Sequence, residues 1–227
     1  MKRLPFVVSK LMRNALVVGG TGLVGGHLIS QLLSSGDYSS VTALVRKKGL
    51  PASEKMTEVV FDFKNEESFP RLDHCKHVFC CLGTTIKKAG SREAFRFVDF
   101  ELPVRLAKWA ESNKAESFSI VTSMGADSSS SIFYNRVKGE VEQQIQEYSI
   151  PRINIFRPSL IMGKRKEFRL GEIVGKVVFL ILNPLMIGVA KKYRGIHAKN
   201  IAKGMIYHLD KLQEGVHIIE SDKIKPV

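Results

Sequence analysis

Tyr134 and Lys138 stand four residues apart in a stretch whose apolar side chains recur at helical spacing, which sets the two on one stripe, a turn apart. A free phenol ionises near pH about 10 and is a poor proton donor or acceptor at neutrality. A neighbouring ammonium stabilises the phenolate and draws it towards the working range. Ser123 follows an apolar run ahead of this helix and offers its hydroxyl to the oxygen of a reacting carbonyl or alcohol. Ser123, Tyr134 and Lys138 are therefore the candidate catalytic set: they polarise a carbonyl, pass it a proton and leave the opposite side free for hydride.

Hydride requires a cofactor, and a second set of residues is spaced for one. Asn14 to Leu28 reads as an apolar run, a glycine cluster and a helix start. Gly19, Gly22 and Gly25 fall where a backbone can approach a pyrophosphate with no side chain in the way, the anion resting on the first amides of the helix. The next apolar run, Val41 to Val45, ends in Arg46, Lys47 and Lys48, where an NAD enzyme would present an acidic residue to the ribose 2′-hydroxyl. Cations there suit a 2′-phosphate, so NADP is expected over NAD. A strand over Thr57 to Phe63 brings Asp62 and Phe63 to the same crevice; Asp62 either accepts from the adenine amine or caps the following turn. A strand over His77 to Leu82 opens into Gly83 and Thr84, small enough for a nucleotide to pass close.

Strands alternating with helical stretches predict an α/β, Rossmann-type doubly wound parallel sheet with helices on both faces and a small C-terminal substrate portion. The first helix runs to about Leu33, with Gly36 as its cap. A basic, mobile loop is expected from Ile86 to Arg92, then a long helix from Glu93 to Asn113 with Phe95, Val98, Leu102, Leu106 and Trp109 on its buried stripe. Pro103 kinks or divides that helix, because its ring opposes the carbonyl of residue 99. Further strands are read at Phe118 to Thr122, Pro151 to Phe156 and Val216 to Glu220, and further helices carry Phe133, Val137, Val141 and Ile145, and Ile201, Met205 and His208. His74 and His77 lie at the start of their strand and are expected at the surface; His197 is read as structural.

The net charge of +13 would attract polyanions. The cations are scattered, however, without zinc spacing, a basic heptad or an aromatic RNA motif, so specific nucleic-acid binding is not expected. Three cysteines, two of them adjacent and on opposite faces of a strand, build neither a disulfide framework nor a metal set, which suggests a reducing cytoplasm. Residues 1–13 are read as an N-terminal extension, too short in apolar residues for a signal peptide. Gly171 to Ala190 is the most apolar stretch, but Lys176, Asn183 and Pro184 interrupt it, and no transmembrane segment is expected. Its basic flanks, with Lys191, Lys192 and Arg194, would permit peripheral membrane or protein contact through residues 171–194. Lys164 to Arg169 is a basic loop suited to a lid.

From Ala15 to Ser221 the chain resembles the short-chain dehydrogenase/reductase superfamily. Cys-Cys-Leu-Gly-Thr-Thr at 80–85, Ser-Met-Gly-Ala-Asp at 123–127 and Tyr-Asn-Arg-Val-Lys-Gly-Glu-Val-Glu at 134–142 are similar to its atypical, Tat-interacting-protein branch, whose members bind NADPH and are described as oxidoreductases or epimerase-like proteins. The resemblance implies cofactor contacts for Gly19, Thr21, Gly22, Leu23, Val24, Arg46, Lys47, Asp62, Leu82, Gly83, Tyr134 and Lys138. It implies a nicotinamide-side wall from Pro158 to Leu160 and a proton relay through Ser123, Tyr134 and Lys138. Thr122 replaces a serine often seen in the branch, and Asp99 stands where many superfamily enzymes carry an asparagine that supports the proton path. The expectation is one NAD(P)-binding domain over residues 14–227, with 157–200 forming the substrate or lid region, as a monomer or homodimer. Its activity is expected to be NADP-dependent oxidoreduction of a small carbonyl compound or secondary alcohol. An NADPH-binding regulatory module without turnover and an epimerase- or dehydratase-like enzyme are the alternatives.

Overall fold

Apolar runs without polar alternation, such as Ala15-Leu16-Val17-Val18, require strands covered on both faces. The structure is a computed structural model that describes residues 13–64, 70, 72, 75–163 and 193–224. In it these runs form the interior of a seven-stranded, all-parallel sheet. Its strands are β1 (Arg13–Val18), β2 (Tyr38–Val45), β3 (Met56–Val60), β4 (His77–Cys80), β5 (Ser117–Val121), β6 (Arg152–Arg157) and β9 (Gly215–Glu220), in the order β3-β2-β1-β4-β5-β6-β9. A short pair, β7 (Ile161–Met162) and β8 (Ile196–His197), lies apart from it. The strand order reverses between β1 and β4, and a crevice forms outside the carboxyl ends of strands at such a reversal.

Helices α1 (Leu23–Ser34) and α6 (Ala198–Lys211) cover one face, burying Leu28, Leu32, Ile201 and Met205 on Val17, Phe79 and Phe156. Helices α4 (Leu102–Ser112) and α5 (Phe133–Gln146) cover the other, where Leu106, Val141 and Ile145 pack on Leu16, Phe118 and Ile153. The doubly wound expectation holds, and the sheet is level at its working edge: Val18 pairs with Leu44 and Cys80, and Cys80 with Ile120.

Several local boundaries differ. Helix α1 ends at Ser34 with an extended Ser35 as its cap, and Gly36 does not take a left-handed conformation. Strand β3 stops at Val60, because Asp62 accepts the amide of Lys64 and turns the chain. The expected mobile loop contains a short helix, α2 (Ile86–Ala89), and a second, α3 (Arg92–Arg96), begins at its last residue. The hydroxyls of Thr85 and Ser91 accept their first free amides, and Gly90 closes α2 at φ +89°.

The long helix is divided into α3 and α4 by a π-helical turn, Phe97–Glu101. Pro103 has no N–H for the carbonyl four residues back, and the chain widens there until Leu102 donates to Phe97. The wider turn moves Asp99 into the interior and leaves Val98 only half-buried. Trp109 is half-buried as well, its Nε1 donating to the Pro70 carbonyl at 3.1 Å. His77 is not a surface residue: it is 3 % exposed, enclosed by Tyr38 edge-on and by Ser117, whose hydroxyl lies 2.8 Å from Nδ1. A strand start between two longer neighbours is covered by them, which position along one strand does not reveal. His74, residues 1–12 and the stretch 164–192, with its basic loop and apolar run, lie outside the described residues. Among the described residues no helix is long and apolar enough to cross a membrane.

Candidate functional site

The glycine bend after β1 is shaped by contacts that admit no side chain. Gly19 adopts φ +88°, and a Cβ on it would stand 2.5 Å from the Cys81 carbonyl oxygen. A Cβ on Gly25 would stand 2.3 Å from the carbonyl of Gly19. The bend is thereby pressed against both the end of β4 and the first turn of α1. Gly22 is the N-cap of α1 and supplies no side chain to its amides, and the first turn carries no carboxylate. Such a helix end retains its affinity for anions. Thr21 and Gly22 are exposed, Leu23 is half-buried, and Val24 is buried in the core.

Arg46 and Lys47 are exposed beyond β2, together with Lys48. Their loop is folded back by Glu58 on β3, whose Oε1 accepts from Gly49 at 3.1 Å and Leu50 at 3.0 Å. Asp62 is exposed and engaged with the Lys64 amide at 3.0 Å, which realises the turn-capping option. Phe63 lies edge-on to Phe61. After β4, Leu82 packs on the core beneath α4 and α5, Gly83 is exposed, and the Thr84 amide donates to Asp99 Oδ2 at 2.9 Å.

A parallel β5-α5-β6 unit returns the chain so that α5 begins at the end where β5 finishes. Ser123 follows β5, and its Oγ is buried without a hydrogen-bond partner among the described residues. Thr122 is unavailable for such a role, since its hydroxyl donates to Glu142 Oε1 at 2.6 Å. Tyr134 lies in the first turn of α5 with its ring 5.6 Å from that of Phe95. One turn on, Lys138 is 4 % exposed and its Nζ lies 2.8 Å from Asp99 Oδ1. Burial opposes the charged amine, but the charges of Asp99 and Tyr134 and the hydrogen bond to Asp99 outweigh it, so Lys138 titrates above the ordinary lysine range.

Two further anchors hold α5 at this height. A Cβ on Gly139 would stand 2.0 Å from the Ser128 amide nitrogen, so the helix rests directly on the loop that follows β5. Glu142, 2 % exposed, accepts from Thr122 and from Arg157 Nε at 3.1 Å, and Arg157 also reaches Glu220 at 3.3 Å. The ends of β5, β6 and β9 are thus tied to α5. Pro158 is buried and its carbonyl accepts from Met124 at 3.0 Å, while Leu160 is 43 % exposed.

Residue reasoning missed Glu142, Gly139 and the counter-charge on Lys138. Glu142 was legible as the next member of the Tyr134–Lys138 stripe, and a glycine inside a helix is destabilising enough to signal a close contact. His197, read as structural, is exposed at the start of α6.

The model of the HIM1 family matches residues 49–181. The protein HTATIP2 of Rattus norvegicus is 34% identical over 171 residues, 74% of this chain and 70% of that protein. The chain belongs to the HIM1 family. Another relative of this HIM1 protein is FMP52-1, mitochondrial, of Scheffersomyces stipitis, 30% identical over 187 residues, 80% of this chain and 77% of that one. Among solved structures, MoeE5 in complex with UDP-glucuronic acid and NAD superposes with a TM-score of 0.67 at 14% identity, over 92% of this chain and 76% of that one. A short chain dehydrogenase family protein from Francisella tularensis superposes at 0.62 and 16% identity, over 92% and 98%. The atypical short-chain dehydrogenase/reductase resemblance and the Rossmann-like fold are thereby borne out. The expected cytoplasmic location is not: several relatives are named mitochondrial proteins.

Proposed function

We propose that this HIM1 protein binds a nicotinamide dinucleotide along the carboxyl edge of its sheet, NADP in preference to NAD, and interconverts a small carbonyl compound and its alcohol. The observation that carries this reading is the Ser123 hydroxyl, a buried oxygen with no partner among the described residues, at the strand end where α5 begins with Tyr134 and Lys138. A polar group left so is matched to a ligand oxygen. The uncapped α1 terminus and the glycine bend fit a pyrophosphate, and exposed Arg46 and Lys47 fit a 2′-phosphate. The dinucleotide would supply the hydride.

In this reading Ser123 orients the substrate oxygen, Tyr134 gives or takes its proton, and Lys138 holds the nicotinamide ribose and the charge beside the phenol. Leu82, Gly83 and Thr84 line the crevice floor, and Pro158 to Leu160 its far wall. Residues 14–227 act as one domain, with 157–200 shaping the substrate end. NADPH consumption against a panel of carbonyl compounds tests it. Tyr134→Phe should lower turnover on the order of 10²–10⁴-fold while leaving NADPH affinity within about twofold. A wild-type protein that binds NADPH tightly yet turns over no compound would overturn the catalytic part and leave a cofactor-responsive module. Arg46→Ala should weaken NADPH selectively by about tenfold; an unchanged ratio of NADPH to NADH affinity removes the phosphate assignment.

A further inference from the structure

Past the carboxyl ends of β4, β5 and β6 the fold leaves large apolar side chains in water. Ile132, just before α5, is 60% exposed, Leu160 beyond β6 is 43% exposed, and Ile86, which opens α2, is 38% exposed. Side chains of this kind at the mouth of a crevice are covered when an apolar ligand enters it. Unbalanced positive charge stands beside them. The guanidinium groups of Arg92 and Arg136 both lie against the Phe133 ring, 5.1 and 5.8 Å from its centroid. Glu140 pairs with Arg96 and lies 3.9 Å from Arg136 Nε, and Arg136 also donates to the Ser130 carbonyl at 2.9 Å. Glu93 is engaged with its own amide and with the Ser91 hydroxyl at the start of α3. Arg92 is exposed, and among the described residues no carboxylate pairs with it. Two like charges on one ring repel each other, and an anion held between them relieves that repulsion. The Phe95 ring joins this cluster to the phenol, 5.8 Å from Phe133 and 5.6 Å from Tyr134.

We propose that the substrate is an apolar carbonyl compound ending in a carboxylate: its carbonyl oxygen meets Ser123 and Tyr134, its hydrocarbon lies along Ile132 and Phe133, and its carboxylate is taken by Arg92 with Arg136. The planar fork of arginine matches both oxygens of a carboxylate. In the reduction the carbonyl carbon gains hydride from the dinucleotide and its oxygen gains a proton through Tyr134, while the carboxylate is unchanged. The cofactor phosphates are assigned to α1 and the end of β2, on the other side of the strand-order reversal, so the two anions have separate sites. This deepens the oxidoreductase reading and rests on it for the reacting end of the molecule; the carboxylate site stands on the arginines alone.

Azelaic semialdehyde and nonanal differ by a carboxylate in place of the terminal methyl group, and succinic semialdehyde keeps the carboxylate but lacks most of the hydrocarbon. With NADPH, wild type should favour azelaic semialdehyde over each of the others by at least about tenfold in kcat/KM, and its preference over nonanal should shrink as salt rises. Arg92→Gln should bring the ratio for azelaic semialdehyde and nonanal to within about threefold of unity through a higher KM for the former, with partial rescue by Arg92→Lys. Lys211→Gln, which removes the same charge at the far end of α6, should keep the wild-type ratio. Equal kcat/KM for azelaic semialdehyde and either comparison compound in wild type, an unchanged ratio in Arg92→Gln, or the same loss in Lys211→Gln overturns the proposal. Turnover of none of the three defeats the oxidoreductase reading instead, and the carboxylate site is then decided by binding. Nonanoate and nonanol are titrated against the arginine Nε–H resonances followed by NMR, Arg92 being assigned by its absence in Arg92→Gln. A saturable shift of Arg92 with nonanoate and not with nonanol supports the site; no shift, or the same shift with both, overturns it.

Discussion

Glu142 and His77 are both buried polar residues, and their environments give them opposite consequences. Glu142 meets the hydroxyl of Thr122 and the guanidinium of Arg157, so its charge is compensated on two sides. Removing one partner of such a pair strands the other, and Glu142→Ala should cost about 3 kcal/mol in urea unfolding. Among the described residues no carboxylate pairs with the His77 ring, whose Nδ1 meets the Ser117 hydroxyl. Burial, then the charge of Arg13, lower the ring to about 4 from 6.5, outweighing the raising influence of Glu116 and Asp210. A group whose folded value is lowered contributes stability that is complete above its unfolded value and is lost as pH falls through the folded one. Stability should therefore decline between about pH 6.5 and 4, by roughly 3 kcal/mol, as protons bind the unfolded chain first. Unfolding curves taken across that window check this, and His77→Gln should flatten the His77 share of the slope.

Helix α5 carries the candidate chemistry, and its height above the sheet is set by contact, not by helical propensity. With Gly139 lying on the backbone of Asp127 and Ser128, a single added methyl cannot be accommodated without moving the helix or the loop. Gly139→Ala should lose roughly 1–3 kcal/mol of stability despite alanine's better helix propensity, measured by thermal and urea unfolding. A gain in stability would show that the helix does not rest on that loop. The same element also shows where periodicity misleads. The stripe Val137, Val141 and Ile145 is fully buried as spacing predicts, but Phe133 at its head is only half-buried, beneath the guanidinium groups of Arg92 and Arg136. In the preceding stretch, a proline without a donor changed the helix type, and the register moved by a residue between Phe95 and Leu102.

In the molecule as a whole, β1, β4 and β5 have hydrogen-bonded neighbours on both sides and helices on both faces, whereas β3 ends the sheet at one edge with Val60 exposed. Amide hydrogen exchange should accordingly be slowest in β1, β4 and β5 and faster in β3 by at least about tenfold. Comparable protection in β3 would mean that the edge is covered.

The amino-acid order alone carried the parallel sheet, the glycine bend and the Tyr134–Lys138 stripe, because each depends on neighbours within a few residues: apolar continuity, absence of a Cβ, one turn of helix. The HIM1 family's short-chain dehydrogenase/reductase character was visible in the same local signals. Asp99 as counterion to Lys138, Glu142 as the clasp of three strand ends and the burial of His77 were not, since each joins groups 15 to 63 positions apart or depends on cover from adjacent strands. Coulomb attraction and exclusion of water act through space, and only the folded chain specifies which charges share a dry interior.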